Sequence, residues 1–350
     1  MTRLTLLLFT LLTTALCDAG KVAGSELSVT DPGVVGMSRE KLQMVGNAVR
    51  GFIRDKRIAG ASVMISRKGK IVYAGNFGLR DIENKKPMAQ DTIFRVYSMT
   101  KAVTSVAAMI LVESGQLRLE DKVSKHLPAF TKAQVWKDAQ LVAPRKPATV
   151  KDLLCHTSGY SYGDTGIQEI DAPHLEYGAL RETTKLSDFS TQAARIPMAF
   201  EPGAGWLYGI STDLLGAVVE RASGMALDQF FESRIFTPLG MIDTGFIIPE
   251  DKRMRLAAAY DSDNQGSLSR RNSDLFTYSS RTRLLSGGGG LASTILDYTR
   301  FLQMIANGGE WNGQRLLQKK TVETMTRNHL SGPAMPCLLY TSPSPRDRSL

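Results

Sequence analysis

Cysteine is nearly absent from this 350-residue chain, with only Cys17, Cys155 and Cys337. Three thiols so far apart make neither a disulfide framework nor a metal-ligand spacing. The four histidines, His126, His156, His174 and His329, are equally scattered, so no metal and no cofactor is expected. Apart from its first dozen residues the chain has no long apolar run, and even that run is too short to span a bilayer. No transmembrane helix is therefore expected. The net charge of +9, from 43 Lys and Arg against 34 Asp and Glu, is spread along the chain. Arginine-rich runs and basic-aromatic interleaving are missing, which argues against a nucleic-acid partner.

What is present is ordinary globular composition, 43% hydrophobic and 22% charged, in a length that suits about two domains. The start, Met1-Thr2-Arg3 followed by Leu4 to Leu12, has the charged end and apolar core of a secretory signal, with small residues near Ala15 to Ala19 as a cleavage site. Residues 1–19 are read as that signal, and a periplasmic or secreted location is expected. Cys17 offers a lipid-anchor alternative, against which stands the bulky Leu16 before it. Residues 20–36 read as a leader into the fold.

Ser38 caps a helix with apolar positions Leu42, Val45, Val49, Phe52 and Ile53. A hairpin follows, 61–66 and 71–75, turning through Arg67-Lys68-Gly69-Lys70. Ile93-Phe94-Arg95-Val96-Tyr97 then delivers Ser98 and Lys101 to the start of a buried helix that stops near Gly115. Residues 116–245 have the texture of a helical domain inserted into an α+β one, which comprises residues 37–115 and 246–335. The expected architecture is an antiparallel sheet flanked by helices. Thr149 opens a capping-box helix, 214–222 form another, and Gly287 to Gly290 open a further helix through Ile305. Residues 336–350 follow neither helical nor strand period and read as a tail foreign to the fold.

Ser98 and Lys101 are three apart, so on a helix they share a face about 5–6 Å apart. A serine hydroxyl is a weak nucleophile until a base takes its proton. The pair alone is weak evidence, because a Ser-x-x-Lys arises roughly once by chance at this length. Glu201-Pro202-Gly203-Ala204-Gly205-Trp206-Leu207 is a turn-rich loop that lifts Tyr208 just before a helix. A tyrosine held beside a cation can act as a base toward a hydroxyl, although packing its ring and bonding its hydroxyl is the commoner fate. Gly159-Tyr160-Ser161-Tyr162-Gly163 fits a nucleophile-elbow pattern, but that motif needs a strand before it and a helix after it. Here a short helix precedes it and a polar loop follows, so Ser161 is read as a decoy. The glycine run lacks the Gly-Lys-Ser/Thr ending of a phosphate loop.

Together, Ser98-Met99-Thr100-Lys101, Leu153-Leu154-Cys155-His156-Thr157-Ser158-Gly159, Glu201-Pro202-Gly203 with Tyr208, Pro238-Leu239-Gly240-Met241 and Gly287 to Leu291 resemble the class C β-lactamase-related serine hydrolases. That superfamily includes penicillin-recognising DD-peptidases and family VIII carboxylesterases. The resemblance runs from about Ser38 to Leu330. It implies a β-lactamase/transpeptidase-like fold, acylation of Ser98, proton transfer assisted by Lys101, and Tyr208 as base and then acid. It also implies an oxyanion held by backbone N–H groups, one from Ser98.

Two departures bear on the substrate. Ile210 stands where the lactamases carry the asparagine of Tyr-x-Asn, which favours an esterase with a more apolar pocket. The third family motif and the strands that carry it would lie beyond the recognisable chain. An exported esterase acting on a small-molecule ester is the leading expectation. A β-lactamase, a D-alanyl-D-alanine carboxypeptidase and a penicillin-binding pseudoenzyme that does not turn over are the rivals.

Overall fold

A computed structural model describes residues 28–177, 185–263, 266–271, 278–279 and 284–330. The signal segment with Cys17, the tail 336–350 and Cys337 lie outside the described residues. Residues 28–36, read as leader, are joined to the fold: Val29 bridges Ile71, and Pro32–Val35 form a 3-10 turn with Val35 buried.

The first helix, α1 (Arg39–Arg54), starts where expected, with the Ser38 side chain accepting from the Lys41 N–H at 3.2 Å. That bond satisfies one of the N–H groups that a helix start leaves without a partner. It packs on the sheet formed by β1 (Gly60–Arg67), β2 (Lys70–Asp81) and β3 (Lys86–Pro87), antiparallel in that order. The hairpin is the predicted one, but β2 runs on to Asp81. Its extension is held by the Gly60↔Gly78 pair, where a Cβ on Gly78 would stand 2.4 Å from the Ala59 carbonyl.

A short strand, β4 (Ile93–Arg95), leads into the nucleophile segment. It pairs antiparallel with Ala292–Thr294, setting Ile93 against Thr294 and Arg95 against Ala292. That late strand is a departure from the sequence reading, in which the glycine run opened a helix directly; the helix Ile295–Ala306 follows it. The segment after β4 is a 3-10 turn, Tyr97–Met99, and then α2 (Thr100–Glu113). Ser98 thus precedes the α-helix, in a tighter turn in which residues three apart eclipse.

The large core explains why α2 is rigid. Val103, Val106, Ala107 and Leu111 are buried against Leu214, Leu215 and Val218 of the helix Ser211–Ser223, with Phe230, Phe231 and Phe246 behind them. Full burial of each such aliphatic or aromatic side chain contributes about 1.5–3 kcal/mol. Apolar residues surround most of α2, so it cannot rotate without opening this core.

Candidate active site

Three segments far apart in sequence meet at the start of α2. The first is the turn that carries Ser98. Tyr97 takes a left-handed φ of 39°, a strained backbone for a residue with a side chain, and it turns the exposed Ser98 outward. Such strain costs on the order of 1–3 kcal/mol and survives only where surrounding structure holds it. Here the Val96 N–H donates to the Leu291 carbonyl, and the Tyr298 hydroxyl donates to the Met99 carbonyl at 2.9 Å.

The second segment is the loop carrying Tyr208. It is fastened to the end of the short helix Val150–Cys155, which begins with the predicted capping box at Thr149. The Gly203 N–H donates to the Thr157 carbonyl, and the Leu207 N–H donates to the His156 carbonyl. Gly209 lies so close to the preceding motif that a Cβ there would meet the Tyr160 carbonyl at 2.1 Å. These contacts bring the Tyr208 hydroxyl to 2.6 Å from Ser98 Oγ.

The third segment is the glycine run. A Cβ on Gly288 would stand 2.3 Å from Asp213, so only glycine lets this backbone close over that buried carboxyl. Asp213 accepts from the Gly288 N–H at 3.0 Å and from the Ser286 hydroxyl, and the Gly288 carbonyl is left facing Lys101.

Lys101 sits where the three meet. Its Nζ donates to the Gly288 carbonyl at 2.8 Å, lies 3.1 Å from the Tyr162 hydroxyl and 3.4 Å from Ser98 Oγ, and stands 4.5 Å from the Tyr208 ring centre. Three oxygens, two hydroxyls and one carbonyl, thus surround Nζ. Burial, followed by the nearby Asp213 carboxyl, pushes the Tyr162 phenol far above its ordinary range. It keeps its proton, accepts from Lys101 and points its hydroxyl to within 3.5 Å of Asp213. Burial pushes Asp213 up in turn, opposed by the Ser286 and Gly288 hydrogen bonds and by the Lys101 charge.

Ser98, Lys101 and Tyr208 are therefore brought together, the first two by their spacing of three and Tyr208 by contacts across the fold. Ser161 is not among them: it is fully buried, accepts from the Gly163 N–H at 3.0 Å and lies 3.3 Å from His174 Nε2. The Ile210 side chain is wholly buried in the core, an apolar group two residues after Tyr208. Tyr162, the residue after Ser161, supplies a contact to Lys101.

The sequence profile described as Beta-lactamase matches residues 45–339. The chain belongs to the β-lactamase family. Lovastatin esterase of Penicillium rubens is 33% identical over 288 residues, covering 78% of this chain and 70% of that protein. Esterase EstB of Burkholderia gladioli is 36% identical over 203 residues, 57% of this chain and 50% of its own length. Among solved structures, EstCE1, described as a hydrolase with promiscuous acyltransferase activity, superposes with a TM-score of 0.71 at 29% identity, covering 81% of this chain and 76% of that one. The chain is thus a serine hydrolase of the β-lactamase-related superfamily, close to the family VIII esterases, with their α+β fold.

Proposed function

We propose that this hydrolase cleaves small carboxylic esters through an acyl-enzyme on Ser98, with Tyr208 as the proton acceptor and Lys101 as the fixed cation. The observation that carries the reading is the 2.6 Å contact between Tyr208 and Ser98, made beside a lysine whose three donors all face oxygens. With Lys101 Nζ directed at three oxygens, Tyr208 is the group left to take the proton of Ser98. The step requires Tyr208 to enter as the phenolate: Ser98 Oγ attacks the ester carbonyl carbon as its proton passes to the Tyr208 phenolate oxygen, which becomes the neutral phenol. The tetrahedral oxyanion is met by the Ser98 backbone N–H, a kind of donor typically worth about 3–4 kcal/mol. The ester C–O bond then breaks, and Tyr208 returns the proton to the departing alkoxide. Water attacks the acyl group, gives its proton to Tyr208, and Ser98 leaves with that proton restored. The Lys101 charge near the Tyr208 ring favours each step that places negative charge on that oxygen.

Transfer of the acyl group to an alcohol is a second reading, favoured by the exposure of both Ser98 and Tyr208 and by the acyltransferase activity in the EstCE1 description. An alcohol in place of water would use the same proton path. Export to the periplasm or medium is part of the proposal, supported by the apolar, positively started N-terminus.

The test is hydrolysis of short-chain p-nitrophenyl esters beside nitrocefin and a D-Ala-D-Ala peptide. Ester turnover that disappears in Ser98→Ala supports the reading; ester turnover untouched by that substitution, or turnover of nitrocefin or the peptide alone, removes it. Mass spectrometry after a fluorophosphonate probe locates the adduct. Labelling at Ser98 without turnover of any substrate would identify a penicillin-binding or sensor role.

A further inference from the structure

We propose that His156 is the positioning residue that holds the Tyr208 hydroxyl on Ser98, through the packing of its ring against the phenol and not through proton transfer. The inference rests on Tyr208 being the proton acceptor. His156 ends the helix Val150–Cys155 in the left-handed conformation, φ 56°. Glycine is the default at such a helix end because a Cβ is strained there. A large side chain at this position is kept against that strain.

The surroundings of His156 show what the side chain does. The His156 ring centre lies 5.1 Å from the Tyr208 ring at an interplanar angle of 34°, and 6.1 Å from Trp206. Trp206 is itself stacked on Tyr208, at 6.2 Å and 25°. The His156 carbonyl accepts from the Leu207 N–H at 2.9 Å, so one residue grips both the backbone and the ring of the catalytic loop. Tyr208 needs that grip, since its side chain is 37% exposed and much of it faces open solvent.

Acid-base chemistry at His156 is disfavoured by its contacts. Nε2 is 3.5 Å from the Thr212 hydroxyl, and Nδ1 has no hydrogen-bond partner among the described residues. Burial, reinforced by the Lys101 charge, keeps the imidazole neutral, with a pKa pushed down to about 4. A neutral ring packed at a tilt against a phenol is a wall. A misplacement of about 1 Å at a reacting group can cost a hundredfold in rate, which sets the scale of what that wall protects.

The test compares His156→Ala, His156→Gln and His156→Phe with Tyr208→Phe in the same full-length background. The rate of fluorophosphonate labelling at Ser98 and the kcat and KM for p-nitrophenyl butyrate are measured, with thermal unfolding as the check on folding. Alanine and glutamine are expected to lower kcat and the labelling rate about tenfold to a hundredfold, with KM within about twofold, as loss of an oriented catalytic group requires. Phenylalanine is expected to restore both rates to within about threefold, because it keeps the ring and discards the nitrogens. If alanine does not fold, the glutamine-phenylalanine comparison decides. A phenylalanine variant as slow as glutamine, or a glutamine variant as fast as the parent, overturns the proposal. Tyr208→Phe separates the two levels. Full activity in that variant removes the proton-acceptor reading and this inference with it, whereas its inactivity beside unimpaired His156 variants removes this inference alone.

Discussion

Lys101 Nζ lies nearer to the Tyr162 hydroxyl, at 3.1 Å, than to Ser98 Oγ, at 3.4 Å. The lysine is thus held from behind by a phenol that is itself directed at the buried Asp213 carboxyl. Ser98 is the outer end of a chain of contacts that runs from Asp213 through Tyr162 and Lys101.

Tyr162→Phe removes one of the three oxygens around Lys101 and leaves its ammonium short of a partner. Esterase kcat is expected to fall about tenfold to a hundredfold with little change in KM, the range for a lost charge-assisted hydrogen bond of about 1.5–3 kcal/mol. Steady-state kinetics on p-nitrophenyl esters checks it, and a rate within twofold of the parent would show that Lys101 is positioned without Tyr162.

Gly288→Ala drives a methyl group against Asp213, 2.3 Å from its Oδ2 before any relaxation. The loop must move, and the Gly288 carbonyl moves with it away from Lys101. Overpacking of this kind typically costs about 1–3 kcal/mol of stability, and the expected loss of kcat exceeds what that destabilisation alone explains. Denaturant titration together with kinetics on the folded fraction separates the two effects.

Ser161→Ala has the opposite signature. The buried hydroxyl serves the Gly163 N–H and faces His174, so its loss leaves a buried donor unpaired at about 1–3 kcal/mol. The melting temperature is expected to drop by a few degrees, while esterase kcat stays within about threefold. Fluorophosphonate labelling should remain on Ser98, and an adduct found on Ser161 in the parent protein would reverse the assignment.

His156 also makes stability depend on pH. Its pKa is lowered from 6.5 to about 4, chiefly by burial and then by the Lys101 charge. Above pH 6.5 folded and unfolded chains both carry it neutral, and its contribution is intact. As pH falls from 6.5 toward 4 the unfolded chain takes up a proton that the folded one refuses, so stability falls by up to about 3 kcal/mol. Denaturant unfolding between pH 7 and 4.5 is expected to show this slope in the parent and a shallower one in His156→Phe, where the carboxylates and His174, also lowered by burial, still titrate. Equal slopes would place the titration elsewhere.

The capping box at Thr149 was legible from its own residue pattern. Ser98, Lys101 and Tyr208 were only weak candidates by spacing and loop, and it was the ordered set of motifs resembling the family that singled them out. Tyr162 and Asp213 were not legible, because their meaning comes from pairings across 51 and 75 residues that no periodicity reports. Tyr162 was hidden inside a pattern that directs attention to Ser161, and Asp213 looks like an ordinary acidic residue in the first turn of a helix. The one available signal was the run from Gly287 to Gly290, which marks a backbone that must approach something closely. The late strand Ala292–Thr294 was missed for a similar reason: three residues are too few for alternation to show, and the partner strand supplies the register.

The Gly288 carbonyl that receives Lys101 lies 187 residues further along the chain. At ribosomal speeds of about 5–20 residues per second, the catalytic turn leaves the tunnel on the order of ten to forty seconds before the group that settles its lysine exists. For that interval α2 is without the strand and glycine loop that fasten its first turn, and its apolar face has only part of its final cover. Assembly of a working centre is therefore a late event in the birth of this protein, timed by the arrival of four glycines and not by the emergence of the serine.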